Sequence, residues 1–170
     1  DGPSPVENLR QPPGYTTLPI VTTIDFGNQG GFARAVELCN GSGLCRKTQT
    51  GTMCPSFMVT GDEEHSTRGR ANALRQVLSG VLPPEEFTGE RLYQTLDLCL
   101  QCKGCKAECP SNVDVARMKA EFLDHYYRRH GTPLGVTAMA HVATLNRLGS
   151  ASAPLSNWLL ALPGSAWLHE

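Results

Sequence analysis

The run "CLQCKGCKAECP" (99–110) sets Cys99, Cys102, Cys105 and Cys109 at the spacing C-x2-C-x2-C-x3-C, with Pro110 behind the last thiol. Thiolates are ligands for soft metals. A structural zinc ion usually takes them as two well-separated pairs, because one ion must be reached from both sides. Four thiols on one tight loop, closed by proline, fit a multi-atom iron–sulfur cluster instead. In that pattern three cysteines hold three corners and the fourth reaches a neighbouring cluster. Seven cysteines in all is an odd number, ill-suited to a disulfide framework and in keeping with a reducing compartment.

The other three lie in "CNGSGLCRKTQTGTMCP" (39–55), which reads as a weaker copy of the same run. Cys39 stands opposite Cys99, Cys45 opposite Cys105, and Cys54-Pro55 opposite Cys109-Pro110, while Ser42 takes the place of Cys102. By the crossing rule, Cys99, Cys102, Cys105 and Cys54 make a complete four-thiolate site, and Cys39, Cys45 and Cys109 an incomplete one. Three options stay open for the incomplete site. It holds a [3Fe-4S] cluster that needs no fourth ligand, or a [4Fe-4S] cluster completed by Ser42, His65 or solvent, or only packed sulfurs. Ser42 equally suits a turn hydroxyl, and His65 a histidine at a helix start, although imidazole does replace thiolate in Rieske centres.

Basic residues accompany the cysteines: Arg46, Lys47, Lys103 and Lys106 lie within the loops, and Arg68 and Arg70 open the following segment. Cations near a helix start oppose its dipole, so the two arginines point to a bond with the cluster loops. Cations beside an anionic cluster also favour its reduced form. A solvated basic surface explains the lysines equally well.

These side chains need elements to hold them, and the pattern is helical. A short turn over Phe32–Leu38 leads into Cys39. Ser66 is placed to cap a helix in which Ala71, Leu74 and Leu78 share a face and Gly80 ends the run. A second helix starts near Thr88, with Leu92, Leu96 and Cys99 in phase. A third starts at Ser111 or Asp114, lines up Val115, Met118 and Phe122, and stops at Gly131. Another covers about 135–148. One strand is expected over 18–26, within an otherwise extended lead-in. The fold class is all-α, with irregular cysteine loops, arranged as a lead-in or linker (1–34), a cluster-binding domain (35–131) and a helical C-terminal extension (132–170).

The net charge of −1 offers no field for nucleic acid. The opening "DGPSPVENLRQPPGY" reads as a linker from a longer chain, and "WLLAL" (158–162) is too short to span a bilayer. A cytoplasmic location follows, with any membrane association made through a partner.

The stretches "ELCNGSGLCRKTQTGTMCPSFMVTGDEEHSTRGRANALR" and "LDLCLQCKGCKAECPSNVDVARMKAEFL" resemble the iron–sulfur segment of large FAD-linked oxidoreductases of the D-2-hydroxyglutarate and D-lactate dehydrogenase type. Glycolate oxidase iron–sulfur subunits are more distant relatives. "TMCPS", "HSTRGRA" and the four-cysteine run carry the likeness, which is clearest from about Gly30 to Leu123. The resemblance implies an α-helical two-cluster ferredoxin domain passing electrons between a flavin and an acceptor. FAD would lie in a preceding domain or subunit, and this segment would be the non-catalytic part of the oxidoreductase. More distant members carry cysteine at the position of Ser42. Two other readings stand beside the electron relay: a Lewis-acid, hydratase-like site with an open iron, and a zinc-stabilised interaction module.

Overall fold

The computed structural model describes residues 2, 4, 6, 7 and 9–161. The last part of the expected C-terminal extension (162–170) and four positions of the lead-in lie outside the described residues. Among the described residues there are nine α-helices and no strand: α1 Phe32–Glu37, α2 Pro55–Thr60, α3 Thr67–Leu78, α4 Glu90–Asp97, α5 Gly104–Glu108, α6 Val115–His130, α7 Leu134–Ala140, α8 Val142–Ala151 and α9 Ala153–Leu160. The chain divides into two units, Asp1–Arg129 and His130–Glu170. No described helix is long and apolar enough to cross a membrane.

All seven cysteines lie in the first unit, around a core built from helix faces. Leu74, Leu78, Leu96, Val115, Met118 and Phe122 are at most 1% exposed, each contributing about 1.5–3 kcal/mol of burial. A file of edge-to-face rings, Phe26–Phe32–Phe87–Phe122, ties the lead-in to α1, the turn before α4, and α6. Two helix starts are fixed by side chains. Ser66 Oγ accepts from Gly69 N at 2.9 Å, and Asp114 Oδ1 accepts from Arg117 N at 3.0 Å, satisfying donors that have no partner within the helix.

Three expectations are corrected. Residues 18–26 form no strand, and the chain bends at Thr23 and Ile24, because their backbone donors find other acceptors. Leu18 N donates to Leu78 O, and Thr23 N and Ile24 N donate to the two oxygens of the fully buried Glu121 carboxylate at 2.9 and 2.8 Å. The expected single helix at 135–148 is two, broken at His141, whose φ of −102° and ψ of 15° leave the helical region. And α4 starts after Gly89, with no side-chain cap from Thr88.

In the second unit, α7 touches α8 and α8 touches α9. None of the residues described in α7 and α8 is buried.

Candidate iron–sulfur site

Each cysteine loop ends in Cys-Pro-Ser, and a helix further along, α3 after the intervening α2 in the first case and α6 in the second, brings its N-terminus to the sulfurs. At α3, Thr67 N lies 2.9 Å from Cys54 Sγ, the Thr67 hydroxyl lies 2.8 Å from the same sulfur, and Arg68 N lies 3.4 Å from Cys45 Sγ. At α6, Val115 and Ala116 line the same concave site as Cys105, and their amides favour its thiolate. A helix N-terminus carries unpaired N–H groups and the positive end of the dipole, so both helices present the environment an anionic sulfur needs. The internal repeat of the sequence thus has a counterpart in the fold: the N-terminus of α3 lies against Cys54 and Cys45, and that of α6 beside Cys105.

Cys54, Cys99, Cys102 and Cys105 line one concave site, together with Thr67, Arg70, Val115 and Ala116. This is the set grouped from the spacing, with Cys54 brought in from the other half of the chain. Cys54 and Cys105 are buried, Cys99 is partly buried, and Cys102 is exposed at the rim. The backbone around them is held in an uncommon conformation. Cys54, Gln101 and Lys103, all on the wall of the site, have φ of 58°, 52° and 59°. Left-handed backbone at residues other than glycine costs about 1–2 kcal/mol per residue, and such strain gathers where a site over-determines the chain.

Burial pushes the Cys54 thiol up to about 11, against the hydroxyl and amide of Thr67, which favour the thiolate. Burial likewise raises Cys105, opposed by its two amide donors. Thiolates in this wall thus need a positive charge beside them, which bound iron would supply. The four thiols line a shared hollow rather than a point. Among the described residues, no three His, Cys, Asp or Glu side chains close around a single metal ion. The four-thiol donor set and the amides beside it suit a cluster, and the geometry lends nothing to the zinc reading.

Cys39 and Cys45 are buried near Arg68, whose charge both sulfurs would stabilise. Cys109 is partly buried against the core. Ser42 is exposed, its amide donating to Asn40 Oδ1 at 3.0 Å in a tight turn. His65 directs Nδ1 to within 3.0 Å of Thr60 Oγ1.

Of the two arginines expected to bond to the cysteine loops, Arg68 does so and Arg70 does not. Arg68 Nη1 donates to Gly41 O at 3.3 Å and its Nε to Glu63 at 2.6 Å. Arg46 pairs with Glu63 at 2.9 Å, and Lys47 with Glu108 at 3.4 Å, so these loop cations hold loops together. Sequence reasoning missed three contributors: Thr67, the buried Lys119, and the clamp in which Glu108 accepts from Thr52 N and Oγ1 at 2.5 and 2.6 Å. Thr67 was accessible as the residue following a cap serine. The other two come from parts of the chain remote in sequence and carry no local signal.

Residues 38–114 match the 4Fe-4S dicluster domain family. Among curated proteins, D-2-hydroxyglutarate dehydrogenase of Pseudomonas putida is 31% identical over an alignment covering 66% of this chain and 14% of the relative. The Escherichia coli protein of the same name is 26% identical over 89% of this chain and 19% of its own length. The glycolate oxidase iron–sulfur subunit of Escherichia coli is 37% identical over 48% of this chain and 19% of the relative. The chain thus spans 14% to 19% of the length of these relatives. No solved structure matches it. Residues 38–114 form a helical iron–sulfur domain similar to the 4Fe-4S dicluster family, and the chain is homologous to D-2-hydroxyglutarate dehydrogenases and glycolate oxidase iron–sulfur subunits.

Proposed function

We propose that this chain is an electron relay, with a [4Fe-4S] cluster held by Cys54, Cys99, Cys102 and Cys105. A second cluster would sit at Cys39, Cys45 and Cys109. The observation that carries the reading is the shared wall of four thiols from two halves of the chain, with helix amides on Cys54 and Cys105. When bound, such a cluster accepts and releases single electrons. The chain's part is to hold the sulfurs, direct N–H groups at them and keep water from Cys54 and Cys105, leaving Cys102 exposed and Cys99 partly so. That exposed edge is the natural point of electron exchange.

The donor in this reading is FAD in a partner domain or subunit that oxidises a 2-hydroxy acid, the class to which the named relatives belong. The protein would work in the cytoplasm, with any membrane contact made by partners. The fourth position of the second cluster falls to Ser42, His65 or solvent, or stays unused in a three-iron form. The open-iron hydratase reading gains no observation from the structure.

Anaerobic quantitation of iron and acid-labile sulfide, with EPR in both redox states, tests the proposal. Two clusters per chain, one with a reduced-state EPR signal, is the expected result; protein without iron or the broad visible absorption of a cluster would end it.

A further inference from the structure

Arg70 is 1% exposed, among the most deeply buried side chains of the protein. Its guanidinium donates to Thr95 O at 3.1 Å, His65 O at 2.6 Å and Ser56 Oγ at 3.0 Å. All three acceptors are neutral, and among the described residues no carboxylate forms an ion pair with it. An arginine cannot shed its charge, and a buried charge without a counter-charge is strongly disfavoured. The same side chain lines the concave site of Cys54, Cys99, Cys102 and Cys105. A second buried cation stands by the same segment: Lys119 Nζ donates to Asp97 O at 2.8 Å and Cys99 O at 2.9 Å.

We propose that Arg70 is the counter-cation of the four-thiolate site and that its charge sets the reduction potential there. The proposal rests on the reading that a cluster occupies this site. Four thiolates leave a [4Fe-4S] centre net anionic, and one-electron reduction adds a further negative charge. A fixed cation in the wall stabilises the reduced form more than the oxidised one, and so raises the potential. The three hydrogen bonds fix where the charge sits, and Lys119 adds to the field from the Cys99 side.

A structural role would make Arg70 only a staple between α2, the turn at His65 and α4. The test separates the two. The full chain, reconstituted anaerobically with iron and sulfide, is titrated with dithionite and redox mediators and read by EPR for wild type, Arg70→Lys and Arg70→Gln. The expected result is that Gln, which keeps hydrogen-bond donors but loses charge, lowers the ratio of reduced to oxidised cluster at fixed potential about tenfold. That is about 59 mV for a one-electron couple. Lys, which keeps charge but loses the fork, stays near wild type. Equal potentials in all three, with iron content intact, would overturn the proposal. Should Gln not retain iron, the Lys variant decides: retention supports a need for charge, and loss in both overturns it in favour of the staple. Full iron and an unchanged EPR signal in Cys54→Ala would remove the underlying site reading instead.

Discussion

Cys54 concentrates the demands of the site on one residue: a left-handed backbone, burial, and a thiol pushed up to about 11. Thr67 is its closest support, giving both amide and hydroxyl. Thr67→Val keeps shape and amide but removes the hydroxyl. The loss of one hydrogen bond should cost about 1 kcal/mol in a urea titration, and the reduction potential should fall, since donors to cluster sulfurs favour the reduced state. Glu108 makes a different prediction. The hydroxyl and amide of Thr52, with Lys47, hold its carboxyl down at about 2, against an ordinary 4.5. A depressed folded-state pKa favours the fold above the ordinary carboxylate range and loses that contribution as pH falls through the folded value. The urea midpoint of wild type minus that of Glu108→Gln should therefore be flat down to about pH 5 and shrink towards pH 2. A difference that grows on acidification would contradict the clamp.

At the scale of elements, α3 and α6 matter most, because their N-termini serve the sulfurs, and both were legible. The cap residues Ser66 and Asp114 and the apolar faces at Leu74, Leu78, Met118 and Phe122 are local signals. The short helices α2 and α5 were not legible: five or six residues directly after or within a cysteine loop show no period, and packing decides them. The missing strand at 18–26 failed for a non-local reason. Its apolar, β-branched residues suit an extended chain, but the acceptor for its amides is a glutamate about 100 residues away. Glu121→Ala should strand those two donors in a part-buried site and cost about 3 kcal/mol, as two charge-assisted bonds are lost. Hydrogen exchange at Thr23 and Ile24 would accelerate; unchanged protection would refute the tie. Gly69 shows two effects in competition. Alanine there gains about 1 kcal/mol in helix propensity, but its Cβ would fall 2.0 Å from Glu63 O, a backbone atom. The clash wins, and Gly69→Ala should destabilise by about 2 kcal/mol or more in the same titration.

At the scale of the molecule, the fold brings Cys54 of the first cysteine group to Cys99, Cys102 and Cys105 of the second, while the helix N-termini of α3 and α6 lie against the sulfurs of their own groups. The spacing in the sequence was enough to group Cys54 with Cys99, Cys102 and Cys105, and the fold places those four on one wall. Ser42 and His65 remained ambiguous in sequence because serine and histidine serve turns and helix starts as readily as metals, and both make such local bonds here. The central claim is that the four-cysteine run is not self-contained, and that Cys54 rather than Cys109 completes its cluster. EPR of the dithionite-reduced full chain, comparing Cys54→Ala with Cys109→Ala, tests it most directly. The account predicts that Cys54→Ala loses the signal of the complete cluster while Cys109→Ala keeps it. Loss in Cys109→Ala with retention in Cys54→Ala would contradict it.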